Sequence, residues 1–77
     1  MYKVKEIISA HSIPTLAGEF SRRSAAEAWL IDYVTNFRGT IICCDTDLEN
    51  DAIDFMVEQR GSLRQFAVEP EIALGDE

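Results

Sequence analysis

The sequence predicts an α+β fold, and three observations carry that expectation. Short apolar runs alternate with turn residues at the start of the chain. A Ser-x-x-Glu box opens an apolar periodic stretch at Ser24. A doubly apolar run, Thr40-Ile41-Ile42-Cys43-Cys44, is then followed by a second box, Thr46-x-x-Glu49. The order read from these signals is ββαβαβ. It implies a four-stranded mixed sheet with an N-terminal hairpin and two helices packed on one face. The chain has 77 residues, enough for one thin core, and we assign residues 1–70 to one domain and 71–77 to a frayed acidic tail.

Residues 2–10 alternate as a strand, with Tyr2, Val4, Ile8 and Ala10 on one parity and Glu6 as the exception. His11-Ser12-Ile13-Pro14 reads as a turn, because Pro14 donates no ladder hydrogen bond. His11 is therefore expected on the surface. Thr15 to Phe20 forms the second strand, with Leu16 and Phe20 on one face. Ser24 and Glu27 fit a capping box. After it, Ala26, Leu30, Tyr33 and Phe37 recur at helical spacing, which makes Trp29 a flanking core residue. Gly39 is the expected stop.

The run Gly39 to Cys44 is apolar on both parities, as in a central strand covered on both faces. With Thr46 and Glu49 as its box, a second helix is expected from about Asp47 to Gln59, its apolar arc made by Leu48, Ala52, Ile53, Phe55, Met56 and Val57. Leu63 to Glu69 is the last strand, with Phe66 and Val68 inward, and Pro70 ends it. Strand–helix–strand units should cross over right-handed and pair in parallel. With both helices on one face, Ile41 and Cys43 (or Ile42 and Cys44) would form a bare apolar patch on the other, which predicts self-association, for instance a homodimer.

No apolar stretch approaches the roughly 20 residues needed to span a bilayer, and the N-terminal apolar run is too short for a secretory signal. A cytoplasmic, non-membrane protein is expected. The two adjacent cysteines point to opposite faces of a strand and form no CxxC motif, so they read as small apolar residues in a reducing compartment. The net charge is -7, unevenly spread: +1 over residues 1–38 and -8 over residues 39–77. Direct nucleic-acid binding needs a basic footprint, which this balance opposes. A basic protein surface is the partner it suits.

The stretch Ile41-Ile42-Cys43-Cys44-Asp45-Thr46-Asp47 resembles the first motif of haloacid-dehalogenase-type phosphatases. The resemblance would make Asp45 a nucleophile and Asp47 an acid/base beside Mg²⁺. It is confined to these residues. The later motifs of that family are missing, no lysine follows Lys5, and Glu49 stands where the motif has Thr or Val. An EF-hand loop fails for want of a glycine at its sixth position. No catalytic residue, metal or cofactor is assigned, and a non-enzymatic protein is expected.

On the second helix, Asp47, Asp51, Asp54 and Glu58 would fall within about 60° of one another. No base interleaves this stripe. It is the expected partner-binding surface, presented by a small interaction module that acts as an inhibitor or adaptor. One version is nucleic-acid mimicry against a nucleic-acid-binding protein, a strategy used by small acidic proteins of phages and mobile elements. Charge and size, and no shared motif, place the chain there. The alternatives are an accessory domain binding a divalent metal or small anion near Asp45, Asp47 and Glu49 or near Arg22 and Arg23, and a structural homo-oligomer joined through its sheet.

Overall fold

A computed structural model describes residues 1–71. The expected tail lies outside the described residues from 72 onward. Its first member, Glu71, donates its backbone N–H to the Met1 carbonyl at 2.7 Å.

The class is α+β, with a different inventory from the one expected: five strands and one helix. The elements are β1 (Tyr2–Ile7), β2 (Thr15–Phe20), α1 (Arg23–Asn36), β3 (Thr40–Asp47), β4 (Ala52–Gln59) and β5 (Ser62–Pro70). The sheet order is β2-β1-β5-β4-β3. Every pairing is antiparallel, so the mixed sheet with parallel crossovers does not form.

The N-terminal hairpin forms, but its first strand ends at Ile7 instead of residue 10, and Ile8 and Ala10 are exposed. Val4 is fully buried, and Leu16 and Phe20 pack against the core. Helix α1 buries Ala26, Leu30 and Val34 on one face of the sheet, against Val4, Phe55, Val57, Phe66 and Val68. Trp29 is partly buried and stacks on Tyr33 at 5.0 Å. The Ser24 box is not formed. The helix begins two residues earlier, with Arg22 as N-cap and no side-chain cap, because the Arg23 guanidinium takes the Glu27 carboxylate instead, at 3.0 Å. At the other end Arg38, not Gly39, takes the left-handed conformation, with φ 63°. The Arg38 and Gly39 N–H groups then bond to Thr35 and Val34 carbonyls, the Schellman pattern.

The second helix is replaced by the end of β3, a turn and β4. Ile53, Phe55 and Val57 face α1, while Asp54, Met56 and Glu58 face away. This segment carries apolar residues compatible with both helical and strand periods. The strand prevails because β5 supplies a full ladder from Ile53↔Val68 to Gln59↔Ser62. The connecting turn needs left-handed backbone at Arg60 and Gly61, with φ 52° and 81°. Positive φ at both central residues is the type I′ hairpin geometry. The Thr46–Glu49 box becomes a turn in which the Asp47 carboxylate accepts the N–H groups of Glu49 and Asn50 at 3.1 and 3.2 Å.

Strand β3 is an edge strand, not the central strand expected. Every residue from Ile42 to Asp51 is exposed. A bulge between Ile41 and Cys43 places Ile41 opposite the buried Val57 and Cys43 opposite Met56. Ile41 therefore faces the helix side and Cys43 the open side. The patch predicted to join them on one face is not formed.

Candidate acidic face

The helix covers one face of the sheet. The other is built from the opposite strand parity: Lys3 and Lys5 on β1, Gln65, Ala67 and Glu69 on β5, Asp54, Met56 and Glu58 on β4, and Cys43, Asp45 and Asp47 on β3. One row of the ladder reads Lys5, Ala67, Asp54, Asp45 across four strands. Positive charge thus lies toward β1 and negative charge toward the β3 edge. Ala67 is buried without a covering helix, because it sits between the longer Lys5 and Asp54 side chains.

The four residues of the predicted stripe are not brought together. Asp47 holds the β3–β4 turn, and its carboxylate also accepts the Asn50 side-chain amide at 2.7 Å. These bonds from Asn50, and the Glu49 N–H, hold its carboxyl below the usual range. Asp51 turns to the helix side, where it accepts the Tyr2 hydroxyl and pairs with Arg23 at 3.0 Å. Glu58 lies at the far end of β4 and accepts the Gly61 N–H at 2.7 Å. Only Asp54 of the four stands near the middle of the open face.

Asp45, which the sequence offered only as a phosphatase-like nucleophile or a metal ligand, lies directly opposite Asp54. Like charges in directly opposed positions are destabilising. Burial pushes the Asp54 carboxyl up, and Asp45, Glu69 and Asp47 push it further, with Lys5 alone opposing. Two shallow hollows meet at Asp54. One of about 320 Å³ is lined by Asp47, Asn50, Ala52, Asp54, Glu69 and Pro70. The other, of about 200 Å³, includes Cys43, Asp45, Met56 and Gln65. Glu69 is the residue of this face to which the sequence reading gave no role. It accepts Lys5 at 2.7 Å and lies 4.0 Å from Lys3. The signal that finds both residues is period-two parity, once residues 40–59 are read as a hairpin.

Arg23, one of the two arginines proposed for an anion, is occupied by Glu27 and Asp51. Asp45 and Asp47 lie on an antiparallel edge, not at the end of a buried parallel strand. Among the described residues, no three His, Cys, Asp or Glu side chains are grouped to hold a metal ion. Both cysteines are free and exposed, on opposite faces of β3. His11 is exposed, its backbone N–H donating to the Ser9 hydroxyl at 3.2 Å. No described helix is long and apolar enough to cross a membrane.

Fold and site together define a helix-backed antiparallel sheet with one open face that is acidic toward its β3 edge. Compared with known proteins, the chain matches no family model, no curated protein and no solved structure.

Proposed function

We propose that this is a non-enzymatic interaction module of the cytoplasm, an inhibitor or adaptor that presents the acidic half of its open sheet face to a basic protein surface. The observation that carries this reading is the like-charged pair Asp45–Asp54. Two carboxylates face each other across β3 and β4, and residues 39–59 contain no lysine or arginine. A cation from a partner placed between them relieves that repulsion, so binding recovers energy the free protein lacks. A nucleic-acid-binding protein is one source of such a surface, and a phage or mobile-element origin suits an inhibitor of that kind. Long-range attraction makes the encounter fast and salt-sensitive.

The test is capture of partners by the wild type and by the double variant Asp45→Lys with Asp54→Lys, at low salt and near 1 M, where screening acts within about 3 Å. Basic proteins should be retained by the wild type at low salt, and lost both at high salt and with the variant. Asp51 is unsuitable for this purpose, because its carboxylate holds Tyr2 and Arg23. A variant that captures the same partners as the wild type would sink the reading.

A further inference from the structure

The two edges of the sheet differ in how they are closed to other strands. Edge strands expose unpaired N–H and C=O groups, and proteins blunt them with shortness, bulges, lysine or proline. Strand β2 is short, at six residues. It shifts register twice against β1, and Glu19 in it is left-handed, with φ 68°. Strand β3 has eight residues and contains neither lysine nor proline. Its one irregularity lies between Ile41 and Cys43, and from Cys43 to Asp47 the ladder is regular. That stretch is exposed throughout. Among the described residues, what guards it is negative charge, from Asp45 and Asp47.

We infer that the β3 edge from Cys43 to Asp47 binds an extended basic segment of a partner by strand addition, with lysine or arginine at alternate positions. This rests on the acidic-face reading and specifies its geometry. Main-chain hydrogen bonds supply affinity in this mode, and alternate side chains supply specificity. A strand laid beside β3 places every second side chain on the open face, about 5 Å from Asp45 or Asp47. The intervening side chains fall beside Cys44 and Thr46, so small apolar or hydroxyl residues suit them. A second copy of the chain is a poorer occupant. Antiparallel pairing about Cys44 would bring the two Asp45 residues into diagonal contact on one face, between two chains of charge -7 each. The acidic edge thus admits a basic strand and repels its own kind.

The probe is a short capped peptide alternating lysine with threonine or valine, its length matched to Cys43–Asp47. Two controls carry the same side chains with every second backbone nitrogen methylated, one in each register. The unmodified peptide should bind at least about tenfold more tightly than the control whose methyl groups face β3, as expected for losing several backbone bonds. The largest amide shifts should fall on Cys43 to Asp47. Equal binding by both controls, shifts centred elsewhere, or no binding at all would overturn strand addition. So would a dimer in light scattering whose β3 amides are protected from exchange. Asp45→Asn with Asp54→Asn separates the two ideas. If the peptide still binds this variant through β3 with unchanged affinity, strand pairing stands and the acidic-face reading fails.

Discussion

The two ends of the sheet are built on different principles. Around β1 and β5, side chains of Val4, Phe66 and Val68 are sealed by α1, and polar groups are paired. Arg64 shows the care taken there. Its guanidinium forks onto Glu6 at 2.9 and 3.0 Å and lies 4.4 Å from the Phe37 ring. At the β3–β4 hairpin the chain runs from Ile42 to Asp51 with every residue exposed, and Leu48 is 85% exposed. Two acids oppose each other in its ladder without a base between them. One end is optimised for stability. The other spends stability on a surface, which is the pattern expected of a contact site on a rigid support.

The largest expected break in this contrast is Phe66→Ala. Removing a fully buried aromatic ring should cost about 3–5 kcal/mol in chemical denaturation, enough to unfold much of a domain this small. Leu48→Ser, an equally apolar residue at the other end, should stay within about 0.5 kcal/mol. If the two variants lose similar stability, the exposed hairpin is as much a part of the core's stability as β1 and β5.

Asp51→Asn probes the seam between the two ends. Asparagine tolerates the left-handed backbone at this position, where φ is 53°, so the change isolates the loss of charge toward Tyr2 and Arg23. The melting temperature should fall by a few degrees, on the scale of one charge-assisted hydrogen bond. Amide exchange should quicken in residues 48–51 before it does in β5.

The smallest effect, and the most diagnostic, is the pH dependence of Asp54→Asn. Burial first, then Asp45, Glu69 and Asp47, raise the Asp54 carboxyl in the folded state. The folded state therefore binds this proton more tightly than the unfolded chain does. Ionisation of Asp54 costs stability, and the cost grows as pH rises from the ordinary carboxylate range through the raised folded value. Asp54→Asn should be stabilising at neutral pH and neutral in effect well below pH 4. Asp47 has the opposite sign. Its carboxyl is lowered by the Asn50 side chain and backbone N–H bonds, so its contribution is present above the ordinary value and is lost as pH falls through the lowered one. Thermal melts of Asp54→Asn and Asp47→Asn across acid pH should diverge in these directions.

Much of the frame was legible. The N-terminal hairpin, the helix with Ala26 and Leu30 inward, and the last strand with Phe66 and Val68 inward all follow from local period and turn chemistry. The helix box at Ser24 misled because Glu27 has a competing partner in Arg23. The candidate site was only half legible. An acidic C-terminal half without lysine was visible, and Asp54 was named. Asp45 was read only as a nucleophile or metal candidate, Glu69 was missed and Asp51 was misplaced, since each depends on which face of a strand it occupies.

Residues 47–59 show where the boundary lies. By itself, the sequence determined that this is an α+β chain with an acidic, base-free segment whose apolar residues include Ile53, Phe55 and Val57. The Thr46–Glu49 box predicted a helix for them, although a helix would turn Phe55 away from Ile53 and Val57, whereas a strand sets all three on one face. The tertiary structure decided it. β5 offers residues 53–59 a ladder of backbone partners, and α1 already covers the face onto which Ile53, Phe55 and Val57 project. Once the segment is a strand, its period becomes two. The same carboxylates that would have formed one stripe are then divided between a turn, a seam to the helix and an open face.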